Sequence, residues 1–357
     1  MPGEGGRGGE GARGWGARVA ENRKTIRVGL AGAGCMGRTH AAAYRTLPEV
    51  ELAAIADVEI DRLASSGGGA GNIAGQGAPL GDLAGVALHE DPRKLVEDHT
   101  LDIIDVCLPT PLHAELSIAA LEAGKHVICE KPMARTVEEA DRIVAAARKA
   151  AGFFMVAHCL RFWPEYVWAR RALAEARFGR TLAASFRRLS ARPSWGWQGW
   201  FADESRSGGA LLDLHIHDID VIRWFFGAPA AVTSRASSLG HVQTLYEYPG
   251  GPAVAAEGGW LCESGFPFEM SYLVVCERAT MEFTSRRTPA LLVYEGGQPK
   301  APELERADAY AAEIAYFVRC VREHRRPDAI TPEDAREAVR IAEAEARSSR
   351  TDRRVQL

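Results

Sequence analysis

IRVGLAGAGCMGRTH, residues 26–40, is an apolar run that stops on three glycines and resumes with helix-forming residues. Gly32, Gly34 and Gly37 have G-x-G-x-x-G spacing. Such spacing alone is weak, but here it follows a strand-like run and opens a helix-like one, the context the motif requires. Each glycine then has a physical reason. Gly32 makes the tight turn, Gly34 lets backbone approach a pyrophosphate, and Gly37 allows close helix–strand packing. The helix start at Cys35 and Met36 offers N–H groups to phosphate oxygens. The motif also asks for an acid at the end of the next strand, and Asp57 closes VELAAIAD, 20 residues past Gly37. A carboxylate there accepts from ribose hydroxyls and repels a 2′-phosphate. NAD is therefore expected over NADP, with the nearby Arg62 the one residue that speaks for the phosphate.

Working outward, strand-like runs alternate with helical segments up to about Phe154. LDIIDVCLP and KHVICEKP are apolar runs closed by prolines, and FFMVAHCL is one more strand. PLHAELSIAALEAG begins with proline and ends with glycine, as helices do. TVEEADRIVAAARKAAG has Thr136 as N-cap with Glu139 three residues on. This rhythm predicts a doubly wound parallel sheet over residues 25–154. The glycine-dense stretch 65–85 reads as a solvated surface insertion. From 155 to 330 the chain carries short β-type runs with turns between them, which predicts a largely antiparallel sheet. One helix, GGALLDLHIHDIDVIRWFFGAP, precedes the later strands. Residues 331–357 read as a final helix opened by Thr331, Pro332 and Asp334. Residues 1–24, rich in Gly and Arg, read as a disordered tail.

The chain has 357 residues, a net charge of -4 and a pI near 6.2, which argues against a nucleic-acid binder. No apolar run is long enough to span a membrane, and the N-terminus lacks the apolar core of a signal peptide, so a cytoplasmic protein is expected. Seven cysteines without C-x-x-C spacing predict free thiols, with neither a disulfide framework nor a structural metal.

Three further features carry chemistry. Glu130-Lys131-Pro132 ends a predicted strand, where ligands bind in such sheets, and a lysine there can bond a substrate hydroxyl. In LLDLHIHDIDVIRW, Asp213 and His217 are four apart and so share a face of one helix, with Asp220 and Trp224 continuing the stripe. A carboxylate beside an imidazole raises its basicity, which suits proton transfer from a hydroxyl. Metal binding by His215, His217, Asp218 and Asp220 is not expected, because ligands two apart diverge on a helix. LRFWPEY and SWGWQGWF supply Arg161, Trp163, Trp197 and Trp200, flat rings and a donor that suit a sugar-like ligand.

GLAGAGCMGRTH, AIAD, CLPTPLHAELSIAALEAGKHVICEKPMARTVEEADRI and SGGALLDLHIHDIDVIRWFFG, in this order, resemble the Gfo/Idh/MocA oxidoreductases. The resemblance implies a Rossmann domain followed by an α/β domain on an open sheet. That sheet often forms the oligomer interface, giving homodimers or homotetramers, and the last helices pack back on the first domain. It further implies that Lys131 polarises the reacting oxygen, His217 takes the proton and Asp213 orients. Pro109, Thr110, His113 and Glu130 join the cofactor loops. Hydride transfer between NAD and a sugar, cyclitol or polyol is the activity expected; the alternative is a glycoside hydrolase or lyase that holds NAD tightly and oxidises its substrate transiently.

Overall fold

The computed structural model describes residues 25–63, 71, 73, 76–263 and 265–357. The tail at 1–24, most of the stretch from Ser65 to Gly75, and the side chain of Arg62 lie outside the described residues. Six parallel strands make the first sheet: β1 (Ile26–Ala31), β2 (Val50–Ala56), β3 (Ala87–His89), β4 (Ile103–Val106), β5 (His126–Glu130) and β6 (Phe154–Ala157). Their order is β3-β2-β1-β4-β5-β6. This is the order of a doubly wound dinucleotide-binding sheet, with its crevice where the winding reverses between β1 and β4. Strand β4 is buried along its whole length, as a central parallel strand covered on both faces must be. The three-residue edge strand β3 is the one that the apolar pattern misses, because only three residues pair and Ala87 and Leu88 are exposed.

The helices flanking this sheet follow local rules. Helix α1 (Cys35–Tyr44) starts at the glycine turn, and α2 (His113–Glu122) follows β4. Helix α3 (Val137–Lys149) is capped by the Thr136 side chain, which accepts from Glu139 N. An unexpected helix, α4 (Pro164–Ala174), opens on proline and leads to the second sheet.

Nine strands form that sheet: β7 (Thr181–Ala191), β8 (Ala231–Ser238), β9 (His241–Glu247), β10 (Ala253–Leu261), β11 (Glu269–Cys276), β12 (Thr280–Thr284), β13 (Leu291–Glu295), β14 (Gln298–Lys300) and β15 (Val355–Gln356). All neighbours pair antiparallel except β7 with β10. The inner face alternates with the outer, as in Val242, Thr244 and Tyr246 of β9, and packs on a core of its own.

Three expectations are corrected. The helix expected from Gly208 to Phe226 is broken into α5 (Gly209–Asp213) and α6 (Ile216–Phe226). At the break His215 is drawn into the protein: its Nε2 lies 3.2 Å from the Tyr246 hydroxyl and 3.3 Å from Glu345 Oε2. Gly258 leaves the room, since a Cβ there would stand 2.6 Å from the His215 ring. The glycine-dense segment is not solvated throughout. Leu80 is buried against Leu30, Ile55 and Ala41, and Gly77 N donates to Thr39 Oγ1 at 3.0 Å. Finally, the domain boundary at 330 does not match the packing. Helix α7 (Ala309–Arg322) buries Ile314, Phe317 and Cys320 in the core of the first sheet. Helix α8 (Pro332–Thr351), opened by a Thr331–Asp334 capping box, puts Ala335 and Val339 in the first core and Ile341 and Ala344 in the second. It pins the two sheets together and so fixes the cleft between them.

Candidate active site

The glycine turn fits a dinucleotide by construction. Gly32 has φ +90°, and a Cβ there would stand 2.5 Å from Cys107 O. A Cβ on Gly37 would stand 1.9 Å from Gly32 O, so that position is closed to any side chain. Gly34 differs, because a Cβ there would meet nothing within 4 Å among the described residues. Packing therefore does not explain Gly34, whereas close approach of a ligand does. Gly34 is also the N-cap of α1 and provides no side-chain acceptor, leaving the first-turn N–H groups of the helix to an anion. The Asp57 carboxylate accepts from Ala33 N at 2.8 Å and from Glu59 N at 2.8 Å, which fixes it at the rim of the turn. The Cys35 thiol is pushed up to about 11, chiefly by burial, and so stays un-ionised. The neighbouring Met36 sulfur lies 3.8 Å from Gln76 Nε2.

Behind the turn, α1 is tied to the end of β5 by buried charge. His40 Nδ1 lies 2.9 Å from Asp105 Oδ2, and His40 Nε2 lies 3.2 Å from Glu130 Oε1. Tyr44 donates to Asp105 Oδ2 at 2.9 Å, and Cys107 Sγ donates to Oδ1 at 3.3 Å. Burial disfavours the charged ring, but Asp105 and Cys107 outweigh it and hold His40 well above its ordinary value. Burial likewise opposes ionisation of Glu130, and His40 and Lys131 overcome it. His40, Asp105 and Cys107 have metal-ligand chemistry, yet their hydrogen bonds to one another and to Tyr44 already account for them.

Lys131 stands at the end of β5, where two of its ammonium hydrogens are committed. Nζ donates to the Asp213 carbonyl at 2.6 Å and to Asp213 Oδ1 at 3.1 Å. That carbonyl is free because α5 ends there. The helix break that the sequence conceals thus builds the lysine's seat. The third N–H remains for a ligand. The two side chains are 15% and 14% exposed. Burial works against the Lys131 charge, but Asp213 and Glu130 raise it above the ordinary lysine value, so it is a cation at neutral pH.

His217 is the opposite case. Asp213 pairs with Lys131, so the expected Asp213–His217 pair on one face is not what the structure builds; the break at Leu214–His215 separates them. His217 Nδ1 is buried without a hydrogen-bond partner among the described residues. Burial first, then the charges of Lys131 and Arg188, depress it well below 6.5. Arg188 is fixed behind it by two bonds to Asp218, at 2.9 and 3.1 Å. The Lys131 cation and the neutral His217 imidazole thus lie close enough for the charge of one to act on the other.

Other expected residues are placed elsewhere. The His113 ring bridges two backbone carbonyls, Pro132 O at 2.9 Å and Leu108 O at 2.7 Å. It staples the Pro109–Thr110 turn to the Lys131 loop and offers no free nitrogen. Arg161 was expected at the substrate, and its side chain is committed to partners within the protein. Its guanidinium is buried and bonds Asp220 at 2.9 and 2.6 Å and Ala329 O at 2.7 Å. Asp220 therefore serves Arg161, not a stripe with His217. Trp200 is buried and stacks on Phe201 at 4.2 Å, a packing role. Trp163 packs edge-on against Tyr310, while Trp197 is 37% exposed beneath Arg206. Arg135 Nη2 donates to Ser205 O at 3.1 Å, tying the segment after Trp197 to the loop that follows Lys131.

Sequence reasoning missed His158 and Glu313. His158 directly follows β6, where ligands gather, and the strand reading of FFMVAHCL carried past it. Glu313 is a fully buried carboxyl whose oxygens have no hydrogen-bond partner among the described residues; burial raises it well above the usual range. Nothing in the amphipathic pattern of α7 marks it.

Comparison with known proteins agrees with this geometry. Residues 26–158 match the oxidoreductase family with an NAD-binding Rossmann fold, GFO_IDH_MocA, and residues 166–282 match the C-terminal domain of the same family. Levoglucosan dehydrogenase of Pseudarthrobacter phenanthrenivorans is 33% identical over 220 residues, 60% of this chain and 55% of that protein. 1,5-Anhydro-D-fructose reductase of Ensifer adhaerens is 37% identical over 153 residues, 42% of this chain and 45% of that protein. The match thus spans about half the length of these two relatives. Myo-inositol 2-dehydrogenase of Thermotoga maritima is 26% identical over 353 residues, 93% of this chain and 98% of that protein. Among solved structures, levoglucosan dehydrogenase in complex with NADH and levoglucosan superposes with a TM-score of 0.80 at 23% identity. That superposition covers 93% of this chain and 99% of the other, a likeness of fold alone. The chain belongs to the Gfo/Idh/MocA family of NAD-binding oxidoreductases.

Proposed function

We propose that the protein oxidises a ring carbinol of a sugar, cyclitol or related polyol, with NAD preferred over NADP. The observation that carries this reading is the electrostatically coupled pair Lys131 and His217: a lysine kept charged by Asp213 and a histidine kept neutral by burial and cations. When bound, NAD supplies the acceptor for the hydride. The glycine turn and the start of α1 would hold its phosphates, and Asp57 its ribose. The third N–H of Lys131 bonds the reacting oxygen and stabilises negative charge as it develops there. Neutral His217 accepts the hydroxyl proton. Asp213 keeps the ammonium aimed. Relatives named for levoglucosan and inositol act on hydroxylated rings, which supports the substrate class. Trp197, 37% exposed, would border the sugar.

We further infer a homo-oligomer through the outer face of the second sheet. Leu245, Ala255, Ser185 and Leu273 line up across four neighbouring strands on that face, and both leucines are exposed.

Lys131→Met tests the chemistry. It should lower kcat by about 10²–10⁴-fold while the protein still binds NADH. Full kcat in the variant would remove Lys131 from the reaction.

A further inference from the structure

Lys131 lies just past the end of β5, and its backbone N–H donates to Glu130 Oε2 at 2.9 Å. Glu130 is buried, so its charge needs a fixed partner. Its other oxygen, Oε1, lies 3.2 Å from His40 Nε2. His40, fully buried in the second turn of α1, is itself held at Nδ1 by Asp105 of β4, 2.9 Å away. Tyr44 and Cys107 donate to the same Asp105 carboxylate and so fix it in turn. Each ring nitrogen thus faces a carboxylate, the arrangement that suits an imidazolium, since only the cation carries a proton on both. Glu313 of α7 also feels that charge, but burial holds its carboxyl in the un-ionised form, so it does not compete for the ring. The chain of contacts runs from α1, whose first turn opens the cofactor cradle, through His40 and Glu130 to the backbone of Lys131.

We propose that His40 is a positioning residue: it holds Glu130, and through Glu130 the backbone of Lys131, where the ammonium reaches both Asp213 and the reacting oxygen. His40 is fully buried and acts through these residues, not on the substrate. Without its charge, Glu130 is left buried with one cation fewer. The carboxylate then turns away or takes up a proton, and a loosened Lys131 no longer aims its third N–H. The assignment rests on the role given to Lys131 above.

The test measures the effect of His40→Gln on kcat in two backgrounds, wild type and Lys131→Met, with NAD and the best substrate among cyclitols, aldoses and anhydro-sugars. Rates are counted per NADH-binding site, so that misfolded protein does not enter. In the wild-type background the change should lower kcat at least about 10-fold with NADH affinity kept. In the Lys131→Met background it should leave the residual kcat as it is, because the side chain it positions is gone. Glu130→Gln is isosteric and ends the same ion pair, and it carries both arms should His40→Gln not fold. Full kcat in the wild-type background, or the same loss in both backgrounds, overturns the assignment while leaving the polyol reading in place. A wild type that oxidises none of these substrates overturns both.

Discussion

At the scale of single residues, the proposed chemistry depends on the protonation states that the surroundings enforce. His217 has no carboxylate bonded to it, and the charges that reach it are mostly positive. The sign of its pH effect follows. Its folded-state pKa lies below 6.5, so it remains a competent acceptor as pH falls through 6.5 and is lost only at lower pH. Lys131 is raised above 10.5, so its charge persists through the alkaline range where a free lysine titrates. A kcat/KM profile should therefore be flat across neutrality, with its acid limb below pH 6.5 and no lysine limb before pH 10.5. An acid limb centred above 6.5 would contradict the neutral-histidine assignment.

At the scale of elements, the turn between β1 and α1 separates packing from binding within a few residues. A side chain at Gly34 meets empty space, whereas one at Gly37 meets backbone. Gly34→Val should keep the wild-type melting temperature and lose at least about 10-fold in NAD affinity, because the side chain takes the room a pyrophosphate needs. Gly37→Ala should lose both stability and affinity. Thermal melts with and without NAD distinguish the two; a Gly34→Val protein that binds NAD normally would place the cofactor elsewhere. This turn was legible in sequence because spacing, strand and helix all agreed, and the alternation of apolar runs likewise gave both sheets. The helix break at Leu214–His215 was not legible. Its cause is tertiary: a histidine drawn toward Tyr246 and Glu345, with Gly258 making room. Hence Asp213 was expected beside His217 and is found beside Lys131. The partners of Arg161 were not legible for a related reason, since Asp220 and Ala329 are 59 and 168 residues away in sequence. His158 was passed over because a strand pattern says which residues are buried but not which lack a partner.

At the scale of the whole molecule, α8 and β15 join the two sheets, so the cleft is held by the end of the chain as well as by the crossing at β6. No helix among the described residues is long and apolar enough to cross a membrane. The exposed row through Leu245 and Leu273 predicts association of copies across the second sheet. Light scattering should find a dimer or tetramer, and the double variant Leu245→Arg, Leu273→Arg should run as a monomer with its fold intact. An unchanged oligomer would move the interface off this face.

The most direct test of the account is absorbance of the purified protein mixed with NAD or NADP and a panel of cyclitols, aldoses and anhydro-sugars. Growth of the reduced-nicotinamide band with NAD and at least one polyol, faster than with NADP, is the predicted result. Faster growth with NADP would contradict the role given to Asp57. No growth across the panel, with nicotinamide released from the denatured protein, would contradict net oxidation and point to a bound cofactor that is restored in each cycle.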